Sequence, residues 1–204
     1  MEIDIIGCGG HGEVVLDILR AAGQHRVIGF LDSDPATHGR LVDGVKVLGP
    51  PAVADAPFVV AVGDNRVRKN ITETLVAKGL EPVTVVHPTA SVASTAIIGP
   101  GTVICAGAVV CTHARIGQGV IVNTGAVVEH HNVVGDFVHL APGVVLTGHV
   151  CVEEGAFVGA GATVIKSCTV GSWSKVGAGA LVNRGVPTGE TYVGVPAKPL
   201  RKHA

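Results

Sequence analysis

The chain has 204 residues, 47% apolar and 15% charged, with 15 basic and 16 acidic side chains and a formal net charge of −1. That is too apolar for a disordered chain and too evenly charged for a nucleic-acid footprint. One Trp, one Tyr and four Phe stand against 61 Val, Ile and Leu and 29 Gly, so the core must be thin and filled by small and β-branched side chains. Met1-Glu2-Ile3-Asp4 carries acids where a signal peptide needs bases, and no 18-residue uncharged apolar run occurs. A soluble, cytoplasmic protein without membrane insertion is expected. Five scattered cysteines with no C-x-x-C suggest reduced thiols rather than a disulfide frame or a structural zinc site.

Residues 1–85 alternate strand and helix patterns: a strand at Ile3–Ile6, a helix from Gly12 to Ala22, strands at Val27–Leu31 and Phe58–Val62, a helix from Arg66 to Lys78, and a strand at Val83–Val86. This order predicts a small Rossmann-like parallel α/β sheet. Its first turn, Gly7-Cys8-Gly9-Gly10-His11-Gly12, satisfies G-x-G-x-x-G, and Asp32 lies twenty residues beyond Gly12. A nicotinamide dinucleotide would fit that fingerprint, but its fold needs a second βαβ half that 85 residues do not easily supply. The physics asks only for a diphosphate against backbone N–H groups at a helix N-terminus, and the same glycines would also serve a plain tight turn.

From Val92 to Val182 every sixth residue, sixteen in all, is Val, Ile or Leu. With those types at about 30% of the chain, chance agreement is on the order of 10⁻⁸. Three residues after the anchor, nine hexads carry Gly: Gly101, Gly107, Gly119, Gly125, Gly143, Gly155, Gly161, Gly179 and Gly185. A glycine recurring there signals a corner with positive φ. Four residues after the anchor the side chain is usually small, as at Thr102, Ala108, Ala126 and Ala162. Three such hexads per coil predict a prism of about five coils stacked at ~4.8 Å.

This hexad resembles the repeat of left-handed parallel β-helix acyltransferases, over residues 92 to about 198, and handedness comes from that resemblance. Val193-Gly194-Val195-Pro196-Ala197-Lys198 is similar to their closing motif. The expected fold is therefore α/β plus all-β, with a Rossmann-like domain over 1–85 and a β-helix domain with its cap over 86–204. The Gly7–Gly12 turn, Leu31-Asp32-Ser33, and Val62-Gly63-Asp64-Asn65 with Arg68, set before a β-helix, resemble the sugar-nucleotide N-acetyltransferases that modify a 4-amino-4,6-dideoxy sugar, and the related sialic acid O-acetyltransferases. That resemblance implies transfer from acetyl-CoA to an amino group on a UDP- or GDP-linked sugar, with no metal, in a homotrimer. It places Gly9, Gly10, His11, Asp32, Ser33 and Gly63 around the nucleotide sugar. It sets Asn123, His139, Ala160 and Ala178 along acetyl-CoA. Sialic acid O-acetylation and a non-catalytic nucleotide-sugar-binding scaffold are the alternatives.

The segment Val127-Val128-Glu129-His130 resembles the family's catalytic stretch and puts His130 on the general base. Imidazole suits removal of a proton from an amine attacking a thioester. Relatives commonly place an acid directly after the base, where this chain has His131; Asn132, Asp136, a backbone carbonyl or His131 itself are the candidates to orient the ring. Glu129, also a candidate, should point to the other face of its strand. His113, His131 and His149, eighteen residues apart, occupy the corner position of successive coils and should form a row. Histidine tolerates the left-handed conformation such corners need. A stacked metal site along that row is the weaker alternative: the similar γ-class carbonic anhydrases use a ligand pair shaped H-x4-H, no such pair occurs here, and no metal is expected.

Overall fold

The computed structural model describes residues 1–200. The N-terminal part is a five-stranded sheet built from β1 (Glu2–Ile6), β2 (Arg26–Leu31), β3 (Leu41–Val42), β4 (Val45–Gly49) and β5 (Phe58–Val60), in the order β3-β4-β2-β1-β5. Helices α1 (Gly10–Ala22) and α2 (Asn65–Ala77) cover its two sides. The pairings are parallel except for the β3–β4 hairpin. That hairpin lies outside the elements read from the sequence, although Asp43-Gly44, with φ of 45° and 81°, carries the turn chemistry a tight hairpin needs.

Three element boundaries move by two residues, one of them the end of β5 at Val60 instead of Val62. Helix α1 begins at Gly10, two residues before the expected start, because Gly9 is extended (φ −80°, ψ −170°) and serves as its N-cap. The predicted strand Val83–Val86 is split between two sheets: Val83 N–H bonds Phe58 O at 2.7 Å, whereas Val85–Val86 pairs with Val103–Ile104. Val86 is six residues before Val92, so the column starts one hexad earlier than the apolar repeat suggests.

From there the chain coils into a left-handed β-helix of two-residue strands on three faces. The first face stacks Val85–Val86, Val103–Ile104, Ile121–Val122, His139–Leu140, Phe157–Val158 and Lys175–Val176. The second runs from Ser91–Val92 to Leu181–Val182 and the third from Ile97–Ile98 to Thr169–Val170. Every register shift is eighteen residues, as in Val109↔Val127 and Val127↔Val145. Anchors from Ile104 to Val182 are buried, and with Ala108, Ala126, Ala156 and Ala162 they fill the prism. Val and Ala fit that narrow interior; most aromatic rings do not, which accounts for their scarcity.

Every sixth residue from 101 to 179 has positive φ, between 55° and 69°. Eight are glycines and six are His113, His131, Phe137, His149, Ser167 and Trp173. Gly185 is the exception to the nine expected glycine corners, since it has no left-handed φ and lies where the chain leaves the regular coil. The end is closed by Thr191–Val193, parallel to Lys175–Val176, and by Lys198–Pro199 folding back antiparallel on it.

The two parts share a core. Val15, Leu16, Ile18 and Leu19 of α1 pack with Ile3, Ile5 and Phe30 of the sheet and with Val85, Val103 and Cys105 of the column. The N-terminal sheet is thereby fixed over the first face of the prism.

Candidate active site

Arg68 fixes the docking more firmly. Asp64 caps α2 by accepting from the amides of Arg66 and Val67, both at 2.9 Å, which sets Asn65 and Arg68 on one helical face. Arg68 is 1% exposed. Its guanidinium donates to Gly119 O at 2.7 Å, Phe137 O at 2.8 Å, Val62 O at 2.9 Å and Asn65 Oδ1 at 2.9 Å. Asn65 in turn donates to Gly155 O and Ala156 O. Burial pulls the Arg68 pKa down to about 10, against the opposing charge of Asp64. Residues 119, 137, 155 and 173 form one edge of the prism, and Arg66 lies 4.2 Å from the Trp173 ring centroid. A cavity of about 500 Å³ opens there, lined by Asn65, Arg66, Phe157, Trp173 and Lys175. Arg68 and Asn65 were visible in the sequence only as parts of a motif, and their role as the staple between the two parts is a tertiary fact.

At the glycine turn the four glycines divide by space. A Cβ on Gly12 would lie 2.3 Å from Gly7 O, and one on Gly7 would lie 2.9 Å from Ala61 O, so those two are structural. A Cβ on Gly9 or Gly10 meets nothing within 4 Å. The open ground lies at the helix N-terminus, where Glu13 N–H makes the first intrahelical bond to Gly9 O. Asp32 holds the turn: its carboxylate accepts from Cys8 N–H and Asp34 N–H, both at 2.9 Å. Burial opposes its charge, but those amides outweigh it and keep its pKa below the ordinary value. Cavities of about 310 Å³ (with Cys8, Gly9, Arg40) and about 170 Å³ (with Ser33, Val62, Val67) flank Asp32. Ser33 is exposed beside it.

His11, the second residue of α1, turns toward Arg68, and its Nε2 is buried without a partner among the described residues. Burial, then the Arg68 charge, push its pKa down to about 4. His139, on the first face of the prism, is likewise held at about 4 by burial and then by Arg68. Its Nδ1 lies 3.2 Å from Gly63 O and its Nε2 lies 3.3 Å from Asn123 Nδ2. The carbonyl can only accept and the amide nitrogen can only donate, so the proton sits on Nδ1. Gly63, Asn123 and His139 are thus brought together. Ala160 and Ala178 are exposed on the neighbouring edge, where a Cβ on Gly125, Gly161 or Gly179 would meet nothing within 4 Å.

His130 is elsewhere. It lies on the edge between the second and third faces, which in a three-sided prism is opposite the first face. Its Nδ1 is 3.1 Å from His131 Nδ1. Its ring seats on Gly148 of the next coil, where a Cβ would come within 2.6 Å of Cε1 and 2.7 Å of Nε2. Of the candidate side chains, His131 is the one within hydrogen-bond distance of the His130 ring. Asn132 is fully buried, with Oδ1 accepting from Val150 N–H, and Asp136 Oδ1 accepts from Gln118 N–H. Glu129 Oε2 is 3.2 Å from His130's own amide nitrogen, not its ring. Desolvation by the packed rings and then the charges of His149, His113 and His130 lower the His131 pKa. The expected row exists: His113, His131 and His149 have φ of 58°, 60° and 59°, with successive ring centroids 5.1 and 5.0 Å apart. Gly148 is a position that sequence reasoning missed, since a glycine before a corner carries no signal of what rests on it.

A hexad prism with these edges defines a left-handed β-helix acyltransferase of the hexapeptide-repeat class. The profile of the PglD N-terminal domain matches residues 2–75. The chain is 39% identical to the acetyltransferase domain of PglB from Neisseria gonorrhoeae, solved with acetyl coenzyme A, over 98% of each chain with a TM-score of 0.90. It is 38% identical to PerB from Caulobacter crescentus, solved with CoA and GDP-perosamine, over 98% of each chain with a TM-score of 0.92. A Bacillus subtilis UDP-N-acetylbacillosamine N-acetyltransferase is 43% identical over 110 residues, 49% of each chain, so the match spans about half the length of that curated relative. The chain belongs to the family of sugar-nucleotide N-acetyltransferases. Among the described residues no helix is long and apolar enough to cross a membrane.

Proposed function

We propose that the chain transfers the acetyl group of acetyl-CoA to the amino group of a UDP- or GDP-linked 4-amino-4,6-dideoxy sugar, with His130 as general base. The seat of the His130 ring carries this reading: Gly148 beneath it and His131 Nδ1 at 3.1 Å hold an exterior imidazole in one orientation. With the proton on Nδ1 shared toward His131, Nε2 is the basic atom. It takes a proton from the amine as the nitrogen attacks the thioester carbonyl and the C–S bond breaks.

Acetyl-CoA supplies the activated acyl group when bound. The open small-residue edge at Ala160 and Ala178 suits a thin pantetheine chain, and neutral His139, held by Gly63 and Asn123, suits orientation of the thioester end. Gly9 and Gly10 with the α1 N-terminus suit the diphosphate, with His11, Asp32, Ser33 and Gly63 around the rest of the nucleotide sugar. His130 and the N-terminal sheet lie on opposite sides of one prism, so the base must come from a second copy. The second face presents Val109, Val127, Val145 and Leu181 outward, an apolar strip suited to a neighbouring copy, and a cyclic trimer would give three equal clefts.

The test is thiol release from acetyl-CoA with UDP- and GDP-linked 4-amino sugars and with free sialic acid. Transfer to an amino sugar is expected, and transfer only to sialic acid overturns the reading. His130→Ala should lower turnover ~10²-fold or more with CoA binding and association state retained. Unchanged turnover removes His130 from the chemistry.

A further inference from the structure

The histidine edge has a second capacity that its proposed role in catalysis does not use. We propose that His130, His131 and His149 form a binding site for a divalent cation of the zinc type, and that its occupation shuts off acetyl transfer. Each ring offers one nitrogen, and the three ligand atoms lie within 4.8 Å of one another, His130 half-buried and the other two exposed. The His131 and His149 rings are stacked at 5.0 Å with an interplanar angle of 15°. His130 stands edge-on to both, with angles of 83° and 85°.

Zinc bonds to imidazole at about 2.0–2.1 Å, so neighbouring nitrogens in a tetrahedral site are roughly 3.3 Å apart. The His130–His131 pair at 3.1 Å already meets that spacing, and His149, exposed, closes the remainder by turning its side chain. The backbone beneath is fixed: His131 and His149 hold φ near 60° one coil apart, and His149 N–H bonds His130 O at 3.1 Å. An all-imidazole set selects Zn²⁺, Ni²⁺, Co²⁺ or Cu²⁺ over Mg²⁺ and Ca²⁺, which prefer oxygen. His113 extends the row beyond His131 but lies outside the three-nitrogen cluster.

The inhibitory part rests on His130 being the base: zinc on Nδ1, the atom facing His131, leaves the ring's one proton on Nε2, which then has no lone pair to take a proton from the amine; the binding part does not rest on it. The experiment uses the full chain without an affinity tag. Zn²⁺ stoichiometry is measured against a chromophoric chelator, and Co²⁺ is followed by its visible absorption. One equivalent per chain is expected, with no competition from Mg²⁺. His149→Asn keeps a residue that tolerates the left-handed corner and should weaken zinc at least tenfold, while His113→Asn should leave it unchanged. In activity assays zinc should inhibit reversibly by chelator, and His149→Asn should transfer acetyl within about twofold of the parent yet resist zinc. Zinc binding that His149→Asn does not weaken, or no binding at all, overturns the site. Zinc bound at the site with acetyl transfer undiminished overturns the inhibition and the base assignment of His130 together, and leaves the metal site standing.

Discussion

The Nδ1 atoms of His130 and His131 lie 3.1 Å apart, with the His131 ring stacked on His149 and the His130 ring set over Gly148. An imidazole pair thus stands where the family resemblance implied an imidazole followed by an acid. A neutral neighbour fixes the tautomer of the proposed base but adds no negative charge to stabilise its protonated form.

Exchange of that neighbour for an acid has a predictable sign. In His131→Glu a carboxylate next to His130 favours the imidazolium, so the acidic limb of the kcat/KM profile should move to higher pH by about one unit. Glu at a φ of 60° costs some local stability, on the order of 1 kcal/mol. A limb that stays in place would show that His131 does not act on the base.

Gly148→Ala tests the seat. The new methyl would fall 2.6 Å from His130 Cε1, so the ring must swing away. A displacement near 1 Å at a reacting group costs about 10²-fold in rate. Turnover should fall ten- to a hundredfold with acetyl-CoA affinity and melting temperature nearly unchanged, and His130→Ala in that background should add little.

Arg68→Leu removes the staple between the two parts. The carbonyls of Gly119, Phe137 and Val62 lose a buried donor, at a cost of about 3–5 kcal/mol. Hydrogen exchange in α2 should accelerate, and KM for the nucleotide sugar should rise more than KM for acetyl-CoA. Arg68→Lys should rescue little, since one ammonium cannot span these partners. Equal protection of α2 in parent and variant would refute the staple.

Asp4, 2% exposed on β1, is a pH-dependent weakness of the N-terminal sheet. Burial, then the charge of Asp55, raise its pKa from 3.8 to about 6. The folded state therefore binds more protons between those values, so the stability Asp4 confers is complete below pH 3.8 and lost as pH rises through about 6. Asp4→Asn should gain about 2–3 kcal/mol at pH 8 and almost nothing below pH 4, read from denaturant midpoints. A gain of the same size at both pH values would assign the effect to packing instead.

What the sequence determined by itself is whatever depends on short-range periodicity. Six-residue spacing decides the prism, because each anchor and each corner is a local choice of side chain and φ that repeats. Hexad phase alone placed His113, His131 and His149 in one row and separated His130 from His139. Val83–Val86 and the β3–β4 hairpin escaped because a short apolar run does not say which sheet it will join. Tertiary structure alone decided what rests on what: His130 over Gly148, Arg68 threaded to carbonyls 51 and 69 residues away, and His11 and His139 kept neutral beside it. Those relations depend on burial and on the meeting of distant backbone, which have no period along the chain.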